Sequence, residues 1–596
     1  MKKLRSAILA PALATFLAMA LTACGQSESP QSTGEDTGQA ANQLLAYVPA
    51  DTPYVAANLE PVPEEVIDRF LERLQPALDE AQSQLSKVLA DLEADQSANP
   101  DDGQSEADIL LRLHHAILSE LDGKLSRPGI ESLGLDIRSL KVLYGMGAFP
   151  VFRTGLSDPA ALRATVQRVL DNAGIRAPEQ ELQGKPYWLI SDGHDGDVPM
   201  GLYVSIQGDH LAISVFPTGS QAGLLPAFLG IDKPANSDAG ERLAQLNKAQ
   251  GYTPYGSGYL DLHRMADQFF EPESPLARLM AEEGDHDPAS FPQECVSEIH
   301  GIIDNAPLMT AGTTELTPSV VAYQYRIETP DSLAKELMAL VAEIPIANAL
   351  SQRILEFSFG MRFGPVRDFL RQKATAIVDN PYSCEHLLDL NDKANEALVK
   401  LDQPMPPFLN NFRGVRVSVD EVMMSSDSIP ENARGHLAVH VEQPEMFVGM
   451  AQMFLPDLSE LALTAGEPPV RLPQSLVPIA GMAVYAAMNS EAIGLAVGEG
   501  EQDGLPEFLD RDAGPRGTFL TANYDMAAYL EYTDQLGDHM GQNYAGDDGY
   551  GSTEHEAVHS IAEAGQQAMR DMMDRSYTTM SFSEDGFVVD GKVTFK

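Results

Sequence analysis

The order of strand-like and helix-like segments in this chain is repeated once, about 260 to 285 residues further along. Residues 201–206 and 211–215 read as two strands around a Gln-Gly-Asp turn, which predicts a β-hairpin. Residues 482–487 and 493–497 show the same pattern around an Asn-Ser turn. The recurrence of one hairpin at a similar place in each part of the chain predicts that one structural plan is used twice.

Three further pairs of segments keep this order: a short Leu-Pro segment, a strand that runs into a helix, and a late strand. In sequence order the pairs are 225–229 with 505–509, 258–266 with 517–527, and 320–327 with 587–593. The varying offset between partners is what loop insertions produce. The alternative is that generic elements of an α+β protein recur in the same order by coincidence.

We therefore expect an α+β protein with two similar halves, at residues 44–330 and 381–596. Each half is expected to be a mainly antiparallel sheet with helices on one face. Apolar residues at helical spacing in 66–92 and 110–121 predict helical insertions in the first half. Residues 331–380 are expected to form a helical connector, with Gly and Pro as breaks.

The composition limits the classes of partner. Hydrophobic residues make up 44% of the 596 residues, which is enough for a substantial core and for more than one domain. The 87 acidic residues outweigh 40 basic residues, giving a net charge of −47. Such a field repels phosphate backbones, so we expect no binding to nucleic acid, and it also opposes adsorption on anionic membrane surfaces.

The N-terminus carries the pattern of an export signal. A cationic start, residues 1–5, precedes an apolar run from Ala7 to Leu21 and the sequence Leu21-Thr22-Ala23-Cys24. The run is shorter than the roughly 20 apolar residues that span a membrane, so residues 1–23 are predicted to be a cleaved signal peptide. Residues 24–43 are rich in Gln, Ser, Gly, Glu and Thr, which predicts a flexible tether.

The Leu-Thr-Ala-Cys ending resembles the lipobox of bacterial lipoproteins, in which the peptide is cut before the cysteine and the thiol is acylated. The resemblance implies lipidation of Cys24 and anchoring of the protein to a membrane. Gly25 after the cysteine implies the outer membrane, with the body facing the periplasm. The alternative is an ordinary signal peptide with a cysteine placed there by chance.

The beginning of the body also carries a resemblance. Val48-Pro49-Ala50-Asp51-Thr52-Pro53-Tyr54-Val55 is similar to the opening of a family of bacterial envelope proteins of unknown function. This resemblance implies a duplicated α+β envelope protein and brings no catalytic residues with it.

The chain contains three cysteines, and Cys24 is assigned to the lipid. Cys295 and Cys384 then form one pair in an oxidising compartment, where a disulfide is the expected state. The alternative is two buried free thiols. In the predicted layout, a bond between these two cysteines would connect the two halves.

One segment carries a possible catalytic pattern, His555-Glu556-Ala557-Val558-His559. H-E-x-x-H on a helix brings two imidazoles to one face for Zn²⁺ and supplies a glutamate as general base. His555 and His559 would be metal ligands of a zinc-dependent hydrolase, with Glu556 as the base. The alternative is a solvated helix, which we favour because no third ligand follows at a recognised spacing.

The remaining candidates are loops. Residues 192–197 could offer oxygen ligands to Ca²⁺, but they lack the EF-hand spacing and read more simply as a hairpin loop. No phosphate loop, dinucleotide fingerprint or nucleophile elbow occurs, so we expect no cofactor. The sequence favours a non-enzymatic envelope lipoprotein that binds or scaffolds, and its partner is expected to be another envelope protein or a hydrophobic ligand.

Overall fold

A computed structural model gives the fold of this chain. The described residues are 43–75, 106–190, 200–218, 221–282, 291–424, 430–454, 463–477, 481–531 and 569–596, with a few isolated positions between these ranges. They form an α+β structure that contains one large sheet. Among the described helices, none combines the length and the apolar composition needed to cross a membrane.

The strands fall into two series along the chain. The first ten are β1 Tyr54–Ala57, β2 Lys141–Met146, β3 Phe149–Gly155, β4 Gln180–Leu182, β5 Lys185–Ile190, β6 Met200–Gln207, β7 His210–Pro217, β8 Ser257–Asp261, β9 Leu308–Thr317 and β10 Val320–Glu328. The next nine are β11 Leu355–Gly360, β12 Phe412–Met424, β13 Pro430–Val441, β14 Val470–Arg471, β15 Val484–Met488, β16 Ala492–Val497, β17 Thr518–Asp525, β18 Met573–Ser583 and β19 Gly586–Phe595.

The helices connect these strands and lie between the two series. They are α1 Glu106–Leu121, α2 Arg127–Ser132, α3 Pro159–Ala173, α4 Gln221–Phe228, α5 Ala239–Gln250, α6 Leu262–Phe270, α7 Pro275–Glu282, α8 Gln293–Ile303, α9 Asp331–Met338, α10 Phe363–Asp379, α11 Leu388–Leu401, α12 Pro407–Asn411, α13 Pro444–Phe454 and α14 Leu505–Leu509. Residues 64–75 are helical as well.

Helix α3 illustrates how the sequence sets these boundaries. The Asp158 carboxylate accepts from the backbone N–H groups of Ala160 and Ala161, and Pro159 occupies the first turn, where no backbone donor is needed. The helix ends at Gly174, whose φ of 69° is the left-handed conformation that glycine adopts without a steric penalty. The apolar face of α3 packs Leu162 and Leu170 against the sheet side chain Trp188.

All pairings between these strands are antiparallel. From one edge to the other, the order is β4-β5-β6-β7-β3-β2-β1-β8-β9-β10-β19-β18-β17-β11-β12-β13-β16-β15-β14. The two series of strands therefore form one sheet, and β10 joins them by pairing with β19. The Gln324 side chain of β10 donates to the Asp590 carboxylate of β19 over 2.8 Å.

One row of directly opposed residues crosses most of this sheet, and opposed residues lie on the same face. The row is Ser205, Ala212, Arg153, Val142, Ala57, Ser257, Gly312, Gln324, Asp590, Thr579, Thr521, Ser358, Arg416, Ala438, Gly494 and Ala487. We call the face that carries this row the inner face, and the opposite one the outer face.

The largest apolar core lies on the inner face of the first series. Inner side chains of the strands pack against α4, α5 and the turn at residues 44–48; among them are Val55, Val142, Tyr144, Val151, Tyr203, Phe216, Phe228 and Leu243. The rings of Tyr203 and Phe216 stack with centroids 3.8 Å apart. A smaller cluster in the second series packs Ala438 and Ala496 against Leu505 and Leu509 of α14.

Both predicted hairpins are present. β6 and β7 pair around Gly208, whose φ is 67°, and β15 and β16 pair around Asn489 and Ser490. The predicted strand-to-helix segments are β8 with α6, and β17 with the helical residues 526–531.

The connector differs from its prediction. Residues 331–380 contain α9 and α10, but β11 lies between them and pairs with β12 and β17. The sequence Leu-Glu-Phe-Ser-Phe-Gly alternates apolar and small or polar side chains, which is the pattern of a strand. The two series also share a single sheet, whereas a separate sheet was expected for each half.

Candidate functional site

Several predicted site residues lie outside the described part of the chain. They are Cys24, the predicted lipid attachment point, and His555, Glu556 and His559 of the H-E-x-x-H pattern. The predicted calcium loop at residues 192–197 lies outside it as well. Lipidation, the zinc site and the calcium loop therefore remain predictions.

The structure brings the predicted cysteine pair together. The sulfur atoms of Cys295 and Cys384 are 2.12 Å apart, as the expected disulfide requires, and both residues are buried. Cys295 lies in α8, and Cys384 precedes α11, so the bond fastens α8 to the start of the second series. The Glu298 carboxylate accepts from the backbone N–H groups of Ser383 and Cys384, and these hydrogen bonds lower its pKa.

Three side chains of the second series could contribute ligand atoms to one metal ion: Asp420, His436 and Glu501. Two guanidinium groups already contact them. Arg353 Nη1 is 3.1 Å from the Asp420 carboxylate and 3.3 Å from His436 Nδ1, while Arg434 Nη2 is 2.5 Å from the Glu501 carboxylate. A metal ion would have to compete with both cations for these ligands.

The hydrogen bonds of His436 also explain this cluster without a metal. Its Nε2 lies 2.9 Å from the Glu501 backbone carbonyl, which can only accept, so Nε2 carries the proton. Nδ1 is then free to accept from Arg353. Every polar atom of the buried imidazole is satisfied, and we interpret the cluster as a structural network.

The inner face of the second series is polar as well as buried, in contrast to the apolar core of the first series. Its buried polar side chains are Glu356, Ser358, Arg416, Ser418, His436, His440, Thr521 and Asn523. Buried polar groups are costly unless they are hydrogen-bonded, so each of these positions requires partners.

Most of these partners come from the segment that precedes β11. The Glu356 carboxylate accepts from the Asn348 backbone N–H over 2.7 Å and from the Ser351 hydroxyl over 3.0 Å. The Asn523 amide donates to the Asn348 carbonyl over 2.7 Å. Because its polar groups are bonded within the protein, this face offers few unused donors or acceptors to a ligand.

The outer face of the same strands is apolar and only half-buried. On β11, for example, Leu355, Phe357 and Phe359 are half-buried, whereas Glu356 and Ser358 between them are buried. The neighbouring strands alternate in the same way. We call the following half-buried set the outer apolar face: Leu355, Phe357, Phe359, Val415, Val417, Val419, Leu437, Val439, Ile493, Leu495, Leu520 and Ala522.

This distribution reverses the usual one, in which the apolar side chains of a strand take the more buried side. Contiguous apolar surface of this kind marks sites that bind proteins, membranes or ligands. The outer apolar face has no charged member, and its strands are hydrogen-bonded to neighbours on both sides. It can therefore cover an apolar ligand through dispersion contacts and exclusion of water.

Sequence reasoning missed this surface. The alternation in β11 to β13 predicts that one side of the sheet is apolar and the other polar, but it does not say which side is covered. The signal was the length of the polar pattern: Glu356, Ser358, Arg416 and Ser418 are bulky or polar on two adjacent strands, which is unusual for a face that meets the core.

Comparison with known proteins gives no relative for this chain: no family model, no curated protein and no solved structure matches it.

Proposed function

We propose that this protein is a lipid-anchored envelope protein that binds the acyl chain of a lipid on its outer apolar face. The observation that carries the proposal is the reversed sheet, with apolar side chains such as Phe357 and Val417 half-buried and polar ones such as Glu356 buried. The half-buried apolar side chains become fully covered when an acyl chain lies across them. Each CH₂ group that is buried contributes about 0.8 kcal/mol.

The chemistry of the outer apolar face favours an acyl chain over a protein partner. Protein interfaces carry roughly one hydrogen bond per 100–200 Å² and a polar rim. The outer apolar face presents only aliphatic and phenyl groups, and the backbone groups of its strands are used within the sheet. An acyl chain needs no hydrogen bonds, so it matches a surface that offers none.

The proposed location fits this ligand. A lipid on Cys24 would hold the body at the outer membrane facing the periplasm, and residues 24–43 would serve as its tether. The net charge of −47 opposes adsorption of the body on an anionic bilayer surface. The lipid is then carried on the protein, away from the bilayer, rather than contacted within it.

We also propose that the two series of strands are copies of one unit. The strand order is mirrored about the β10–β19 pair: β9, β8, β1, β2, β3, β7 and β6 on one side correspond to β18, β17, β11, β12, β13, β16 and β15 on the other. The cross-sheet row supports this, because its centre lies between Gln324 and Asp590. In this reading one copy keeps an apolar inner face and the other has a polar one.

Binding of lipid is tested on the soluble chain that begins at Gly25, which retains every residue that the structure describes. Native mass spectrometry after expression in a bacterial envelope is expected to show a co-purified lipid, and a dansyl-labelled long-chain fatty acid is expected to bind. The Val417→Glu substitution places a carboxylate in the middle of the outer apolar face. We expect it to weaken binding of the probe at least about tenfold, because an acyl chain would desolvate the charge.

The matched control is Val399→Glu in α11, because Val399 is 69% exposed and lies away from the sheet. Its affinity for the probe is expected to equal that of the original chain, and thermal melting must show both variants folded. Equal binding by the Val417 and Val399 variants would contradict the proposal. So would repeated purification from membranes that returns no reproducible lipid.

A further inference from the structure

Two packed helices each carry a histidine followed four residues later by an aspartate. Helix α6 contains His263 and Asp267, and helix α8 contains His300, with Asp304 as its C-cap residue. Residues four apart lie on the same face of a helix, so each helix presents one imidazole and one carboxylate together.

The two pairs are joined crosswise between the helices. His263 Nε2 is 3.2 Å from the carboxylate of Asp304, and His300 Nε2 is 3.1 Å from the carboxylate of Asp267. The two rings are nearly parallel, with an interplanar angle of 10° and centroids 5.0 Å apart. Their remaining nitrogens, Nδ1 of His263 and Nδ1 of His300, are 2.7 Å apart.

These contacts fix where the protons lie. An ionised carboxylate only accepts, so each Nε2 must donate, and a neutral imidazole has one proton. Both Nδ1 atoms then direct lone pairs at each other over 2.7 Å, which is repulsive. The arrangement is stable only when a positive species lies between the two nitrogens.

We propose that this species is a divalent transition-metal cation of the zinc class, bound by Nδ1 of His263 and Nδ1 of His300. Imidazole nitrogens are preferred ligands for such ions, and they bind Zn²⁺ at about 2.0–2.1 Å. Two tetrahedral ligands at that distance lie roughly 3.3 Å apart, so a small rotation of the two rings admits the ion. Water fills the remaining positions, because both histidines are partly exposed to solvent.

The surroundings have the features of a metal site. A ligand histidine commonly donates its second N–H to a carboxylate, which fixes the ring and increases its basicity. Asp267 and Asp304 do this for both rings. Helix α8 is itself held in place by the Cys295–Cys384 bond, and Phe270 packs edge-on against His300, with centroids 6.1 Å apart. No guanidinium is recorded in contact with either imidazole within the described residues, in contrast to the Asp420–His436–Glu501 cluster.

The test is calorimetric titration of zinc chloride into the chelator-treated chain. A His559→Ala background removes any contribution from the H-E-x-x-H pattern. One zinc per chain is expected to bind, and His263→Asn or His300→Asn is expected to abolish that binding. Asp267→Asn keeps both ligands and is expected to weaken binding about 10–100-fold, as loss of an orienting carboxylate does. His115→Ala in α1 is the matched control and is expected to leave binding unchanged.

Two results would overturn the proposal. One is a chain that binds no zinc, which leaves a shared proton between the two rings. The other is zinc binding that persists with the same affinity in folded His263→Asn and His300→Asn variants, as judged by circular dichroism. Should those variants fail to fold, zinc-edge anomalous scattering from crystals of the His559→Ala chain decides, because the ion must lie about 2.1 Å from both Nδ1 atoms.

Discussion

Arg153 and Arg416 lie in the same cross-sheet row on different strands, and each donates to the carbonyl of a phenylalanine in a Leu-Pro-x-Phe-Leu segment. Arg153 Nη2 is 2.7 Å from the Phe228 carbonyl, and Arg416 Nη1 is 2.8 Å from the Phe508 carbonyl. Arg153 lies opposite Val142, whereas Arg416 lies opposite Ala438. If the two series are copies, the arginine has moved to the facing strand while its acceptor has stayed in place.

Removal of Arg153 is expected to destabilise the protein strongly. Its fully buried guanidinium also donates to the Tyr144 hydroxyl over 3.1 Å and to the Gln207 amide oxygen over 3.2 Å. Arg153→Ala leaves these acceptors buried without a donor, so the free energy of unfolding should fall by about 3 kcal/mol or more. Urea denaturation measures the change. Arg69→Ala, which removes an exposed ion pair with Glu72, should change the free energy by less than about 0.5 kcal/mol; equal losses would refute the prediction.

Stability is expected to decrease below neutral pH because two histidines are buried in an uncharged form. Burial, followed by the charge of Arg153, lowers the pKa of His210 to about 4. Burial, followed by the charge of Arg416, lowers the pKa of His440 to about 4 as well. In the unfolded chain a histidine has a pKa near 6.5, so between pH 6.5 and 4 the unfolded state binds more protons. Stability is therefore fully present above pH 6.5 and falls by up to about 1.4 kcal/mol per pH unit for each histidine.

His440→Leu separates this effect from the titration of carboxylates. Nε2 of His440 is buried, and none of the described residues forms a hydrogen bond with it, so leucine removes the titration without breaking such a bond. The difference in unfolding free energy between the variant and the original chain should grow in favour of the variant from pH 7 to pH 4.5. A difference that stays constant across urea titrations at several pH values would show that His440 does not titrate in this way.

Loss of the Cys295–Cys384 bond should lower stability through the unfolded state. The two cysteines are 89 residues apart, and closing a loop of that length contributes about 4 to 5 kcal/mol in the chain-entropy model. Replacing both cysteines with serine should remove most of this amount, as measured by denaturant unfolding. Addition of a reductant should destabilise the original chain and leave the double variant unchanged. A reductant effect of similar size on both would argue against the bond.

Gly312 of β9 is required by the close approach of an aromatic ring. A Cβ atom at this position would lie 2.3 Å from the ring of Tyr252, which is buried. Gly312→Ala must displace that ring and is expected to cost about 1–3 kcal/mol. Gly449 in α13 provides the contrast, because a Cβ there meets open space. Gly449→Ala should stabilise the protein by about 0.5–1 kcal/mol, and thermal melting of the two variants should shift in opposite directions.

Local patterns in the sequence predicted local structure well. Both hairpins and the strand-to-helix segments are found, since alternation and turn residues act over a few positions. The strand β11 was taken as part of a helical region because its six residues lie between two helices. The pairing of β10 with β19 could not be predicted, because two similar strands give no indication of whether they share a sheet.

The candidate sites were harder to predict, for a physical reason. The His263–His300 contact depends on the packing of α6 against α8, and neither histidine is distinctive within its own helix. The signal available in the sequence was the repeated spacing of His and Asp, at 263 and 267 and again at 300 and 304. The outer apolar face depends on which side of the sheet is covered, and this is decided by chain segments distant from its strands.

The position of β19 has a consequence for how the polypeptide reaches its final form. This strand lies between β10 and β18, and its contact with β10 spans 266 residues, from Gln324 to Asp590. During synthesis or export from the N-terminal end, β10 emerges long before this partner exists, so one of its edges stays unpaired. Unpaired strand edges are templates for aggregation. The chain therefore depends on protection of that edge, by a chaperone or by slow release, until its last strand arrives.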